Sequence, residues 1–261
     1  MPPVVQRCVR AVIEYDGTAF AGSQRQPRLR TVQGELEDAL NKLTGERITV
    51  RFAGRTDAGV HATGQVIAFC LPSRPRGERI GMAEMRRRLN AALAPDVVIR
   101  SLRSAGTGFD PRRAAVARTY RYRIRQDGDR RPTDRHRTLE IPDHLDVDAM
   151  RDAAARMVGE RDFAALGSDA RGQTVRHLAA VTVRQRGTLV EVTVEGNAFL
   201  RRMVRSLVAV LLAVGRGQMA SADVEQVLEA RQRALYGRAA PALGLTLERI
   251  SFGTTGDERR T

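Results

Sequence analysis

Residues 47–71, RITVRFAGRTDAGVHATGQVIAFCL, hold two apolar runs around a charged, glycine-punctuated connection. RITVRFA and GQVIAFCL both read as strands, rich in β-branched and aromatic residues. No helical period separates them. On the N-terminal side, VRAVIEY (Val9–Tyr15) puts Val9, Ala11, Ile13 and Tyr15 on one face of a strand. Thr31 then opens a helix, TVQGELEDALNKL, with Val32, Leu36, Leu40 and Leu43 on a shared stripe. On the C-terminal side, MAEMRRRLNAAL predicts a helix facing inward through Met82, Met85, Leu89 and Leu93, and DVVIRSL closes with a strand. The order is β-α-β-β-α-β.

The second half repeats it. TYRYRIR (Thr119–Arg125) is a strand, and VDAMRDAAARMV a helix on Val147, Met150, Ala154, Met157 and Val158. AAVTVRQRGTLVEVTVEG reads as a hairpin turning at Arg186-Gly187. FLRRMVRSLVAVLLAVG reads as a long helix burying Phe199, Met203, Leu207, Val210 and Val214. An extra helix capped by Ser221 follows, then LGLTLERISF as the last strand. The fold class predicted is α+β, with two ferredoxin-like halves divided at 106/107 (1–106 and 107–261). Each half packs two helices on one face of an antiparallel sheet. The sheets are expected to join, leaving a cleft between the halves.

The hydrophobic fraction of 42% and the charged fraction of 28% are those of an ordinary globular chain. Forty-four basic against thirty acidic residues give +14, a field that attracts polyanions. Lys42 is the only lysine, an imbalance that GC-rich codon usage accounts for; the charge excess still points to nucleic acid. Many modules of this fold stack RNA bases on exposed aromatics. Aromatics are only 4% here, with no Trp, which counts against a simple stacking platform. The longest apolar stretch, SLVAVLLAVG, is far short of the ~20 residues a membrane span needs. No secretory leader is legible, so a cytoplasmic location is expected. Cys8 and Cys70, far apart in strand-like runs, are expected to be buried free thiols.

In GRTDAGVH, Gly54 and Gly59 allow sharp bending. Arg55 and Asp57, two apart, project to the same side of extended backbone. A solvated turn and a catalytic carboxylate both fit that pattern. Asp57 and His61 are four apart, but the four histidines (His61, His136, His144, His177) lack ligand spacing and no Cys pair accompanies them. No metal site and no cofactor are expected.

The stretch resembles the catalytic segment of the TruA family of tRNA pseudouridine synthases. The likeness extends along almost the whole chain: YDGTAFAGSQRQ, TVQGELEDAL, LNAAL followed by PDVVI, ARTYRYRI, Asp162-Phe163, NAFLRRMVR and the final LGL all match in order. The resemblance implies isomerisation of uridines 38, 39 and 40 in the tRNA anticodon stem-loop, by base flipping, glycosidic-bond cleavage and C–C rejoining. It implies a homodimer with tRNA as partner. Asp57 falls on the family's essential aspartate. Arg205 falls on the arginine that pairs with it, an adjacent cation favouring the carboxylate form. Tyr120 falls on the tyrosine that stacks on the target base. Arg55 matches the arginine that fills the flipped nucleotide's space, and Leu245 an apolar residue of the uracil pocket. Tyr122, on the same strand face, reads as core packing.

Two positions depart from the family pattern. Ser23 stands where a tryptophan is frequent, and Asp110-Pro111 where a histidine and an alanine precede the retained Arg112. Arg112, Arg118 and Arg121 are candidate RNA-backbone contacts, as are Arg123 and Arg125 on the same strand. Around the second helix the candidates are Arg74, Arg76, Arg79, Arg86, Arg87 and Arg88. The loop RQDGDRRPTDRHR and the tail TTGDERRT are expected to be mobile. A non-catalytic RNA-binding or chaperone protein of the same fold is the rival reading, but it would not require Asp57, Arg55, Tyr120 and Arg205 together.

Overall fold

A computed structural model describes residues 7–71, 80–230 and 239–253. The chain forms two compact units. One is built from residues up to Val116 together with those from Arg249 on, the other from Ala117–Glu248. The sequence reading divided the chain at 106/107.

In the first unit the elements are β1 (Arg7–Tyr15), α1 (Val32–Thr44), β2 (Arg51–Phe52), β3 (His61–Leu71), α2 (Met82–Ala92), β4 (Val97–Ala105) and α3 (Pro111–Ala114). β1 lies between β4 and β3, antiparallel to both, and β2 pairs with β3. The alternation read in β1 holds: Val9, Ala11, Ile13 and Tyr15 are all buried. Thr31 caps α1 through its hydroxyl, which accepts the Gly34 N–H at 3.2 Å. Val32, Leu36, Ala39 and Leu40 form the buried stripe of that helix, while Leu43 is only half-buried. In α2, Met85 and Leu89 are buried.

The strand expected over RITVRFA contracts to two residues. Ile48 and Val50 are buried as a strand would bury them, but α1 takes the backbone that a neighbouring strand would have paired. Val50 N–H donates to Glu37 Oε1 (3.1 Å), and Gln33 Nε2 donates to the Val50 carbonyl (3.3 Å).

The expectation of free thiols is overturned. Cys8 and Cys70 are register partners across β1 and β3, with Cα atoms 3.9 Å apart, and they form a disulfide. Sixty-two residues of sequence separation hid a pairing that strand register imposes.

The second unit takes up β5 (Ala115–Arg125), which begins in the first. It continues with β6 (Leu139–Glu140), α4 (Val147–Arg156), β7 (Gly159–Asp162), β8 (Val175–Arg186), β9 (Leu189–Gly196), α5 (Met203–Gly215) and α6 (Val224–Glu229). Its strand order is β5-β9-β8-β7, antiparallel throughout, with β6 parallel to the end of β5. The last strand, β10 (Leu245–Phe252), is divided between the units at Glu248/Arg249. The hairpin closes on the pair Arg186↔Leu189, so the turn is Gly187-Thr188, one residue later than read.

α5 begins four residues later than its apolar period suggests. Arg202 adopts a left-handed backbone (φ 64°), and the Arg201 N–H donates to the Ser168 carbonyl (3.1 Å) in an isolated bridge. Ser221 does not cap a helix. It opens a 3-10 turn, Ser221–Asp223, whose Asp223 carboxylate accepts the Ala220 N–H at 3.0 Å.

The loop expected to be mobile is anchored. Arg125, almost fully buried, reaches Asp134 (2.8 Å) and Asp129 (3.3 Å), and Thr188 donates to Asp129 (2.6 Å). The loop's own carboxylates hold it down.

Candidate active site

Asp57 lies on the connection between β2 and β3, and the first unit fixes that connection chiefly through its backbone. Ala53 N–H still donates to the Val66 carbonyl (2.9 Å), as in a ladder. One residue on, the buried Gln65 side chain replaces the neighbouring strand. Its Nε2 donates to the Gly54 carbonyl (2.7 Å) and its Oε1 accepts the Gly54 N–H (3.3 Å). Thr56 turns inward, is buried, and bonds the Tyr15 hydroxyl at 2.8 Å. Arg55 and Asp57, on either side of it, are more exposed. Burial pushes the Tyr15 phenol up to about 12, against the opposing hydrogen bonds from Thr56 and Gln65.

The far side of the loop is equally constrained. Val60 N–H donates to the Asp57 carbonyl (3.2 Å), and Gly59 N–H to the Phe20 carbonyl (3.3 Å). Gly17 passes so close that a Cβ there would lie 2.0 Å from the Val60 carbonyl oxygen. His61, buried, accepts the Gly17 N–H through Nδ1 at 3.1 Å. It holds this turn not through a local bond but through the distant Asp16–Gly17 segment, with Asp16 Oδ1 3.2 Å from the same nitrogen.

Arg55 is not isolated from other cations. Burial first, then repulsion from Arg112, pushes its guanidinium below the usual arginine range. Arg112 rides on α3, and the departure at Asp110-Pro111 explains how so short a helix starts. The Asp110 carboxylate accepts the N–H groups of Arg112 (2.9 Å) and Arg113 (3.2 Å), and Pro111 takes the first helical position, where no N–H is needed.

In the second unit the predicted residues sit on β5, α5 and β10. Tyr120 is buried edge-on against Phe199, ring centroids 5.1 Å apart. Tyr122 is core, as expected: fully buried, it donates to the Pro241 carbonyl at 2.8 Å. Burial raises its phenol pKa, and the nearby Arg205 cation opposes that shift. Arg205 Nε donates to the Ala240 carbonyl (2.7 Å), and Ala240 N–H donates back to the Arg205 carbonyl (3.0 Å). Leu245 is buried at the start of β10.

The arginine candidates separate by their partners. Arg118 is buried and donates to the Asn197 carbonyl at 2.5 Å. Arg121 pairs with Glu248 (2.8 Å) and Glu191 (3.1 Å), and Arg123 pairs with Glu191 (3.1 Å). Arg87 and Arg88 both bond Glu84, whose carboxyl they hold down to about 2, and Arg86 donates to the Arg100 carbonyl. Arg74, Arg76 and Arg79, like the TTGDERRT tail from Thr254 on, lie outside the described residues. Among the described residues, no cluster of three His, Cys, Asp or Glu side chains could hold a metal ion, and no helix is long and apolar enough to cross a membrane.

The family model for tRNA pseudouridine synthase matches residues 11–110 and 153–253. The chain belongs to the tRNA pseudouridine synthase family. It is 42% identical over 247 residues to tRNA pseudouridine synthase A of Thermotoga sp. (strain RQ2), covering 94% of this chain and 99% of that one. It is 39% identical over 249 residues to the Geobacter sulfurreducens protein of the same name, covering 94% and 100%. The Brevibacillus brevis relative is 42% identical over 250 residues, covering 94% and 99%. Membership makes the chain an enzyme, an isomerase.

For a synthase of this family, the sequence draws attention to charged residues and gives no role to the side chains that bond the backbone around them. Ser23, Gln65, Thr56 and Tyr15 carry no motif by themselves. The one signal was that Gly22 and Ser23 lie within the matched segment YDGTAFAGSQRQ, Ser23 as a departure from the family pattern.

Proposed function

We propose that this enzyme converts uridine to pseudouridine at positions 38, 39 and 40 of the tRNA anticodon stem-loop, with Asp57 as the group that works on C1′. The N1–C1′ bond breaks, the uracil rotates, and C5 bonds to C1′. C5 gives up its hydrogen and N1 takes one, so the reaction is redox-neutral and atoms balance. The observation that carries the reading is the pose of the Asp57 segment. A carboxylate and a guanidinium are presented on either side of a buried threonine, from a loop clamped through its backbone. Such clamping suits a group that must meet one atom of a flipped nucleotide.

Arg55 takes the space the flipped nucleotide leaves. Arg112 serves the RNA backbone, and Arg118, buried, does so only if RNA phosphate draws it from the Asn197 carbonyl. Arg121 does so only if RNA phosphate displaces Glu191 or Glu248. Tyr120 stacks on the target base, Leu245 lines the uracil site, and Arg205 supports the carboxylate. The two halves are read as ferredoxin-like, and the enzyme as a cytoplasmic homodimer. The β-α-β-β-α-β order of the first unit supports the first part.

The test is tritium release from tRNA labelled at C5 of uridine, with wild type beside Asp57→Ala. Release by wild type that vanishes in the variant, with tRNA binding retained, is expected. Binding without release from any tRNA would overturn the reading.

A further inference from the structure

Building on the reading that Asp57 is the reacting carboxylate, we propose that Ser23 is a positioning residue for it, acting through the backbone of Thr56. Ser23 is completely buried. Its hydroxyl oxygen accepts the Thr56 N–H at 2.9 Å, and its own N–H donates to the Thr56 carbonyl at 3.1 Å. One residue thereby grips both sides of the residue immediately before Asp57.

The grip depends on close approach. Gly22 has φ +106°, and a Cβ there would stand 2.9 Å from the Thr56 oxygen and 3.4 Å from the Asp57 carbonyl carbon. The Thr56 hydroxyl is held separately by Tyr15 at 2.8 Å. Thr56 is thus fixed through its N–H, its carbonyl and its side chain. Because it points inward, fixing it sets the directions in which Arg55 and Asp57 leave the loop.

The experiment compares wild type, Ser23→Ala, Ser23→Cys and Asp57→Ala on anticodon stem-loop tRNA. It measures single-turnover tritium release per bound tRNA at saturation, and tRNA affinity separately. Ser23→Ala, which removes the hydroxyl that accepts the Thr56 N–H and donates to the Thr56 carbonyl at 3.5 Å, is expected to bind tRNA normally while the rate per bound tRNA falls on the order of 10- to 100-fold. Ser23→Cys, a weak acceptor of similar size, should fall between Ala and wild type. A structural role alone would lower the amount of competent protein and leave the rate per bound tRNA unchanged. That result, or a wild-type rate in a folded Ser23→Ala, overturns the proposal. If Ser23→Ala does not fold, Ser23→Cys decides on the same criterion. An inactive wild type or an active Asp57→Ala overturns the functional reading itself. Active wild type, inactive Asp57→Ala and undiminished Ser23 variants overturn the positioning role alone.

Discussion

Adding one methyl group at Gly17 should damage stability and catalysis together, although Gly17 is forty residues from Asp57 in sequence. A Cβ at Gly17 stands 2.0 Å from the Val60 carbonyl oxygen and 2.4 Å from its carbon. Ordinary contacts lie near ~3.5 Å, so one backbone must move by roughly 1 Å or more. Neither segment can yield alone. Val60 N–H is bonded to the Asp57 carbonyl, and the Gly17 N–H to His61 Nδ1. Overpacking of this kind costs about 1–3 kcal/mol, and each kcal/mol lowers the melting temperature by roughly 2–4 °C in a chain of this size. Displacing the Asp57 turn by ~1 Å should slow turnover on the order of 100-fold. Melting curves and tritium release from C5-labelled tRNA measure the two effects. Gly106→Ala is the control, because a Cβ there meets nothing within 4 Å. Gly17→Ala that melts and turns over like Gly106→Ala would refute the reasoning.

Tyr15 gives a pH signature. Its phenol is raised from 10.0 to about 12 by burial, so its contribution is complete below pH 10 and lost as pH rises toward 12, about 3 kcal/mol in all. Denaturation across that range should show the decline in wild type, and Tyr15→Phe should lack this component. Arg125→Gln should release the anchored loop. Amide exchange over residues 127–137 should rise while that of β9 stays protected, and equal exchange in both proteins would show that the Asp129 and Asp134 contacts do not hold the loop.

What the sequence made legible was what repeats along it. The alternation of Val9, Ala11, Ile13 and Tyr15 is a local property of a strand with one buried face, and the Thr31 cap is a local property of a helix start. The elements that diverged were decided by partners distant in the chain. Ile48 and Val50 have strand character, yet side chains of α1 take up the Val50 backbone. Helix α5 starts late because Arg201 bridges to Ser168. At the site, Arg55 and Asp57 stood out because charge between glycines is conspicuous. Gln65 did not, and Ser23 stood out only as a departure from the family pattern, because their task is to bond main-chain atoms, and a polar side chain that does so looks like any other. The disulfide was missed for the same reason: register, not spacing, put Cys8 opposite Cys70.

That disulfide turns residues 8–70 into a covalent ring, and the ring contains both the Gly17–Ser23 bracket and the Asp57 loop. A protease that cuts the exposed arginines of the connection before α1, Arg25 or Arg28, therefore opens the ring without dividing the molecule. Under denaturing conditions the nicked protein stays one covalent species without reductant and separates into two pieces once thiols are added. The bracket and the loop it grips stay tethered through the sulfurs after the chain between them has been cut.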